Sequence, residues 1–244
     1  MTTQLFNGDC LETLKNVADN SVDLVIADLP YGQTACDWDV KIDLAALWEQ
    51  LKRVGKPNSA FIFFCTTKFG YELIKSNEKW FRYDLVWNKP GKGAGFLNAR
   101  KMPMRCHEMI YVFYSKLPTY NIEDNHTKLR EMKYTEKRNT NNCLYGLCGQ
   151  HTNDSSRQHP VWEPKLPGSV IDCPIDTKKE HKTEKPQGIL QWLIKYYSKA
   201  GDVVLDPTMG CGSCGLACRS LGRSFIGIEK NEDFFNKAMQ RLAV

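Results

Sequence analysis

The sequence predicts an α/β protein with a mostly parallel sheet and a loop-rich insert, and three observations carry that prediction. Apolar, β-branched or aromatic runs recur at 22–27, 60–65, 202–206 and 223–229. Stretches with helical spacing of apolar residues separate them, and strands alternating with helices imply crossover connections and a mainly parallel sheet. Between 116 and 176 this alternation disappears, and polar residues, prolines and three of the five histidines replace it. The chain therefore divides into 1–115, an insert at 116–176, and 177–244.

Length and composition narrow the classes. At 244 residues and 42% hydrophobic content, the chain can bury a full core. No apolar run approaches the roughly 20 residues that span a bilayer, and the start lacks a charged segment followed by an apolar one. A soluble, intracellular, cytoplasmic protein is expected. Ten cysteines scatter irregularly through a long chain, so reduced and buried thiols are expected rather than a disulfide framework. A net charge of +5 agrees with a polyanionic partner without demanding one.

Taken in order, Leu5 and Phe6 begin a short strand, Asn7-Gly8-Asp9-Cys10 is a tight turn, and Leu11, Leu14 and Val17 have helical spacing. The run from Val22 to Ala27 is a buried strand. Leu44, Leu47, Trp48 and Leu51 mark an amphipathic helix that Gly55 and Pro57 terminate. Residues 60–65 form a continuous apolar strand, as expected where both faces are covered. A helix over 68–76 and a strand over 83–87 follow. Gly91-Lys92-Gly93-Ala94-Gly95 lacks the Gly-Lys-Ser/Thr ending of a phosphate loop and reads as a mobile loop that closes over substrate. Residues 108–114 form a further strand, antiparallel at the sheet edge. Beyond the insert, Ile189, Leu190, Leu193, Ile194 and Tyr197 mark a helix opening at Pro186, a favoured first-turn residue. A strand at 202–206, a Gly turn at 210–213, a helix at 216–221, a strand at 223–229 and a helix at 234–242 complete the chain.

The first strand-to-loop junction, Asp28-Leu29-Pro30-Tyr31, has a specific chemical reading. An extruded base with an exocyclic amine needs an acceptor for the amine hydrogens, a rigid carbonyl aimed at the same nitrogen, and a π-face for the ring. Asp28, the Leu29 carbonyl fixed by Pro30, and Tyr31 supply these in order. The second junction has strand, Gly-x-Gly turn, helix, strand and acid, the outline of a nucleoside-binding unit. Gly210 and Gly212 lack the third glycine of a dinucleotide site, Asp206 suits an ammonium, and Glu229 can accept both ribose hydroxyls. S-adenosylmethionine fits both acids, whereas a nicotinamide dinucleotide fits one.

These motifs resemble those of the DNA amino-methyltransferases. Asp28-Leu29-Pro30-Tyr31 looks like their Asp-Pro-Pro-Tyr tetrad, with Leu29 as a departure at a position used through its main chain. Asp206-Pro207-Thr208-Met209-Gly210-Cys211-Gly212-Ser213 resembles Asp-Pro-Phe-x-Gly-Ser-Gly-Thr, and His181-Lys182-Thr183-Glu184-Lys185-Pro186 resembles His-Pro-Thr-x-Lys-Pro. The departures at Thr208, Cys211 and Ser213-Cys214 bear on cofactor affinity. The motif order is similar to the β class, which implies a circularly permuted Rossmann-like S-adenosylmethionine-dependent methyltransferase fold. Asp28, Leu29, Pro30 and Tyr31 are then catalytic. Asp9, Cys10, His181, Thr183, Lys185, Asp206, Thr208, Gly210, Gly212 and Glu229 are expected to hold S-adenosylmethionine. The implied reaction is direct methylation of adenine N6 in DNA after base flipping, with N4-cytosine, RNA adenine and an inactive nucleic-acid-binding module as alternatives.

The partner implied is double-stranded DNA, and a homodimer and a cognate restriction endonuclease accompany the family resemblance. Lys89, Arg100, Arg105, Lys128 and Arg130 are the expected nucleic-acid contacts. The insert opens basic, with Lys116, Lys128, Arg130, Lys133, Lys137 and Arg138 against Glu123, Asp124, Glu131 and Glu136, which suits phosphate contacts that position a duplex. No metal is expected: Cys143, Cys148, His151 and His159 match no standard finger spacing.

Overall fold

The structure is a computed structural model that describes residues 1–32, 40–91, 93–133, 158–176 and 184–243, with the backbone alone at 130–133 and 158–160. The elements in order are β1 (Thr3–Asn7), α1 (Cys10–Thr13), β2 (Val22–Ala27), α2 (Leu44–Val54), β3 (Gly55–Cys65), α3 (Thr67–Ser76), β4 (Phe81–Asn88) and β5 (His107–Phe113). They continue with β6 (Thr127–Lys133), β7 (Gln158–Glu163), β8 (Val170–Asp172), α4 (Gln187–Tyr197), β9 (Val203–Asp206), α5 (Ser213–Ser220), β10 (Ser224–Glu229) and α6 (Glu232–Leu242). Two compact units result, Met1–Asn121 with Gly168–Val244, and Ile122–Pro167.

The larger unit is an α/β sheet with strand order β1-β10-β9-β2-β3-β5-β4-β8. Every adjacent pair is parallel except the two that β5 makes with β3 and β4. The expected edge position of β5 is corrected here: it is antiparallel but interior. Its residues explain why, for Ile110, Val112 and Phe113 are wholly buried, and an edge strand would leave part of such a run in water. The edge is instead β8, three residues of which only Ile171 is buried. Trp87 fixes it by donating Nε1–H to the Cys173 carbonyl at 2.7 Å. The segment after Pro167 thus belongs to the sheet, so the smaller unit is shorter at both ends than the stretch at 116–176. That unit is an antiparallel pair, β6 with β7, running from Thr127 opposite Glu163 to Lys133 opposite Gln158.

Local chemistry places the helices. Asp43 accepts from Ala45 N and Ala46 N to cap α2, Thr66 accepts from Phe69 N to cap α3, and Asn231 accepts from Phe234 N to cap α6. Helix α2 ends at Val54 and passes directly into β3, where Pro57 lies at an irregularity in the β2–β3 pairing. A Cβ at Gly55 would stand 2.6 Å from the Phe61 ring, so only glycine fits the junction. Beneath α2, Trp48 meets Phe63 and Phe113 with ring centroids 5.3 and 5.2 Å apart, in tilted and edge-on geometries favoured by ring quadrupoles.

Strand β1 pairs with β10, Asn7 opposite Glu229, and Gly8 N donates to the Glu229 carbonyl at 3.0 Å. On the other side β9 pairs with β2, Val25 opposite Leu205. Parallel pairing in this register carries Asp9, Asp28, Asp206 and Glu229 to the same end of the sheet.

Phe63 is wholly buried between Trp48 and Phe113. Phe63→Ala is expected to destabilise the protein by about 3–5 kcal/mol, and Phe63→Leu by clearly less, because a leucine refills part of the void. Urea unfolding followed by far-ultraviolet circular dichroism measures both.

Candidate active site

In an open parallel sheet ligands bind outside the carboxyl ends of the strands, where the loops diverge. Here the loops after β1, β2, β9 and β10, the end of β4 and the start of β5 border one cavity of about 1310 Å³. Asp28, Leu29, Pro30 and Tyr31 line it together with Asp206, Thr208, Gly210 and Glu229.

The tetrad sits in a chain of charges. Asp28 accepts the Tyr31 hydroxyl at Oδ1, 2.6 Å away, and pairs at Oδ2 with Lys185 Nζ at 2.7 Å. The same ammonium reaches Glu108 Oε1 at 2.8 Å, and Glu108 Oε2 pairs with Lys89 Nζ at 2.7 Å. Aromatic faces complete the enclosure, with Lys185 Nζ 4.9 Å from the Phe64 centroid and Lys89 Nζ 4.2 Å from that of Trp87. Burial alone would discharge Lys185, but the two carboxylates outweigh it and hold its pKa above the ordinary lysine value. Burial likewise opposes the Glu108 charge, yet Lys185 and Lys89 keep that carboxyl below its usual range. Burial, then the Asp28 charge, pushes the Tyr31 phenol far up, so it remains a donor at every working pH. The Tyr31 ring leans on Phe69 with centroids 4.9 Å apart. Leu29 is buried with the core, consistent with a main-chain role at that position.

The second end of the cavity is built by the Gly turn. Asp206 Oδ1 accepts from Thr208 N at 3.0 Å, while Thr208 Oγ1 donates to the Asp28 carbonyl at 3.3 Å and so ties the two junctions together. Burial, with Asp28 and Glu229 nearby, pushes the Asp206 carboxyl up to about 8. Gly210 has φ +54° and donates its N–H to Glu229 Oε2 at 2.9 Å; Asn231 N donates to Oε1 at 2.7 Å. Burial raises the Glu229 pKa as well. Asp9 Oδ1 accepts from Leu11 N at 3.0 Å, and its Oδ2 pairs with Lys230 at 3.1 Å. The Cys10 thiol is buried and raised to about 11, which keeps it neutral. Gly212, at φ +80°, does not line the cavity; a Cβ there would stand 3.1 Å from Ala238 and Leu242, so it serves the packing of α5 against α6.

Several residues sit differently from expectation. Lys185, expected among the cofactor contacts, has its ammonium on Asp28 and Glu108. Lys89, expected on phosphate, is paired with Glu108 and its side chain is only 20% exposed. Arg105 is exposed, lines the cavity and donates to Thr67 Oγ1 at 3.2 Å; Arg100 is exposed on the same loop. Lys128 is exposed on β6 of the smaller unit. His181, Thr183, Cys143, Cys148 and His151, and the side chains of Arg130 and His159, lie outside the described residues. Glu108 and Glu184 were missed. Glu184 accepts from Ser213 Oγ at 2.6 Å and from Arg241 at 2.7 Å, anchoring the turn of α5 to α6. The signals for Glu108 were an acid opening a strand that is otherwise apolar and a loose likeness of His107-Glu108 to the family. Among the described residues no group of His, Cys, Asp and Glu could hold a metal, and no helix is long and apolar enough to cross a membrane.

Comparison with known proteins agrees with this architecture. The chain is 27% identical to the type II methyltransferase M.HinfI of Haemophilus influenzae over 98% of its length and 67% of the relative. It is 27% identical to the DNA adenine methyltransferase YhdJ of Escherichia coli K12 over 98% and 82%. Among solved structures, M1.HpyAVI in complex with S-adenosylmethionine superposes with TM-score 0.66 at 22% identity, over 99% of this chain and all of that one. The cytosine-N4-specific PvuII DNA methyltransferase superposes with TM-score 0.69 at 14% identity, over 99% and 86%. The DNA methylase model of the N6/N4 methyltransferases matches residues 22–240, and the chain belongs to that family.

Proposed function

We propose that the protein transfers a methyl group from S-adenosylmethionine to the exocyclic N6 of adenine in double-stranded DNA after the base has left the stack. The observation that carries this reading is one cavity lined both by the Asp28 tetrad and by Asp206, Gly210 and Glu229. A donor and an acceptor bound there face each other without crossing bulk water. YhdJ, a relative across most of the chain, is named as an adenine methyltransferase, and an aspartate opening the tetrad leans towards the same base.

The cavity suits a cationic ligand. Asp206 has no cationic partner among the described residues, and its neighbours Asp28 and Glu229 are acids that add to the negative potential. When bound, S-adenosylmethionine supplies an electrophilic sulfonium methyl. Asp206 would hold its ammonium, Glu229 its ribose hydroxyls, and Asp9 the amino group of its adenine. On the acceptor side, Asp28 and the Leu29 carbonyl accept the two N–H hydrogens of the target amine. Both acceptors then favour a pyramidal nitrogen with a free lone pair. Lys185 Nζ holds Asp28 Oδ2 at 2.7 Å, and Asp28 acts first as acceptor and takes up the proton only after the nitrogen has been alkylated.

Nucleoside digestion of unmethylated DNA after incubation with labelled methyl donor is expected to yield N6-methyldeoxyadenosine. N4-methyldeoxycytidine in its place would overturn the choice of base. Asp28→Ala is expected to abolish labelling and to leave S-adenosylmethionine affinity within about threefold, since that carboxylate faces the acceptor rather than the donor.

Asp206 yields a second expectation, one of proton linkage. Burial pushes its carboxyl up to about 8, far above the value of about 3.9 in an unfolded chain. The folded state therefore binds the extra proton, and its stability falls as pH rises from about 4 to 8. An ammonium docked on Asp206 favours the ionised form, so binding at pH 6.5 should expel close to one proton. Titration calorimetry in buffers of differing ionisation enthalpy reads that proton directly, and Asp206→Asn should eliminate it.

A further inference from the structure

We infer that the loop at 93–105 is a duplex-opening wedge, with Phe96 and Leu97 entering the base stack beside the target and Arg100, Lys101 and Arg105 seated on the flanking phosphates. This deepens the reading of the protein as a DNA-base methyltransferase and rests on it. Four observations meet in the loop.

Phe96 and Leu97 are 79% and 96% exposed, and Met102 and Met104 follow at 58% and 46%. A cluster of four large apolar side chains on a short loop forgoes burial that the fold offers elsewhere, and such a patch marks a contact surface. The loop is also held in shape. Ala94 and Arg105 exchange two backbone hydrogen bonds at 2.8 and 3.0 Å. Within it, Asn98 N donates to Gly95 O at 2.9 Å and Met102 N to Asn98 O at 3.0 Å. Gly95, at φ +90°, supplies the left-handed reversal that starts the turn carrying Phe96 and Leu97. A pre-shaped apolar tip loses little conformational freedom on entering a partner.

Charge identifies the partner. From Lys89 to His107 inclusive the chain has five Lys or Arg residues and no Asp or Glu. Lys89 is committed to Glu108, while Arg100, Lys101 and Arg105 are exposed and have no carboxylate partner among the described residues, so the apolar tip stands among cations. Apolar residues flanked by cations suit a duplex, where side chains part a base step while basic groups neutralise phosphates. Position completes the case: Gly93, Ala94 and Arg105 at the root of the loop line the same cavity as Asp28 and Tyr31. A base leaving the stack beside Phe96 and Leu97 has the acceptor pocket at the root of the same loop.

The test uses one circular phage genome supplied both as duplex and as its single strand, with labelled methyl donor. Phe96→Ala/Leu97→Ala is expected to lower labelling of the duplex by about tenfold or more and of the single strand by less than about twofold, because only the duplex has to be opened. Phe96→Met/Leu97→Met, which keeps an apolar tip, should restore duplex labelling. Both substituted side chains project into solvent, and unchanged S-adenosylmethionine binding checks that the variants fold. Equal losses on the two substrates, or undiminished duplex labelling, would overturn the wedge. A changed sedimentation coefficient with an unchanged duplex-to-strand ratio would assign the patch to contact between copies of the chain and overturn it too. Wild-type protein that labels neither substrate removes the methyltransferase reading itself, a result separate from any effect of the loop variants.

Discussion

The ammonium of Lys185, shared between Asp28 and Glu108, is the contact on which the site depends. Charges this enclosed lose most of their hydration, and that loss is recovered only when each has partners in good geometry. Here every charge has them: two carboxylates around Lys185, a second cation on Glu108, and aromatic faces under both ammoniums. Removing Lys185 would take the only lysine from Asp28 among the described residues, and removing Glu108 would take the carboxylate from Lys89, so the chain behaves as a unit. Lys185 precedes α4 directly, while Asp28 follows β2 and Glu108 opens β5. One cation therefore fastens the last third of the chain to the middle of the sheet and fixes the direction of the Asp28 carboxylate.

The sheet topology makes this possible. Parallel strands present their carboxyl ends at one edge, and β5, running the other way, presents its start there. Glu108 reaches the same end as Asp28 for that reason alone. The pairing of β1 with β10 and of β9 with β2 then sets four acids around the cavity, two of which, Asp206 and Glu229, have no lysine or arginine partner among the described residues. Burial raises Asp206 to about 8, with repulsion from Asp28 and Glu229 adding to it, and burial raises Glu229 as well. Such a cavity is selective before any contact is formed, because a positively charged ligand relieves the repulsion and an anion increases it.

Much of this was legible in the sequence, and what was not has physical reasons. Buried strands of a parallel sheet read as continuous apolar runs, so β2, β3, β9 and β10 could be placed to within a few residues, with the acids that end them. The Gly turn and the tetrad carried their chemistry in residue type and order. Strand β8 could not be seen: three residues with one buried side chain have no periodicity, and only the Trp87 hydrogen bond to Cys173 shows what holds them. Strands β6 and β7 hid in a polar stretch because their residues follow no apolar alternation. The ion pairs of Lys89 and Lys185 with Glu108 were not legible, for a common reason. A lysine near a presumed polyanion reads as a phosphate or carboxylate contact, and only the fold reveals that Glu108 stands between the two.

Tyr31 presents the last step. Its hydroxyl donates to Asp28, the carboxylate on which the target amine would also converge, and its ring leans on Phe69. An incoming amine and the phenol thus compete for one carboxylate whose other oxygen is already held by Lys185. The exchange is nearly balanced in hydrogen bonds, since one neutral donor replaces another on an ionised acceptor. What tips it is the face of the ring: once the hydroxyl is displaced, the ring can turn to stack on the base that displaced it, and an aromatic base supplies that contact where water cannot. Tyr31 in this account keeps Asp28 satisfied until a planar amine arrives. The cost of leaving a charged acceptor unpaired is never incurred.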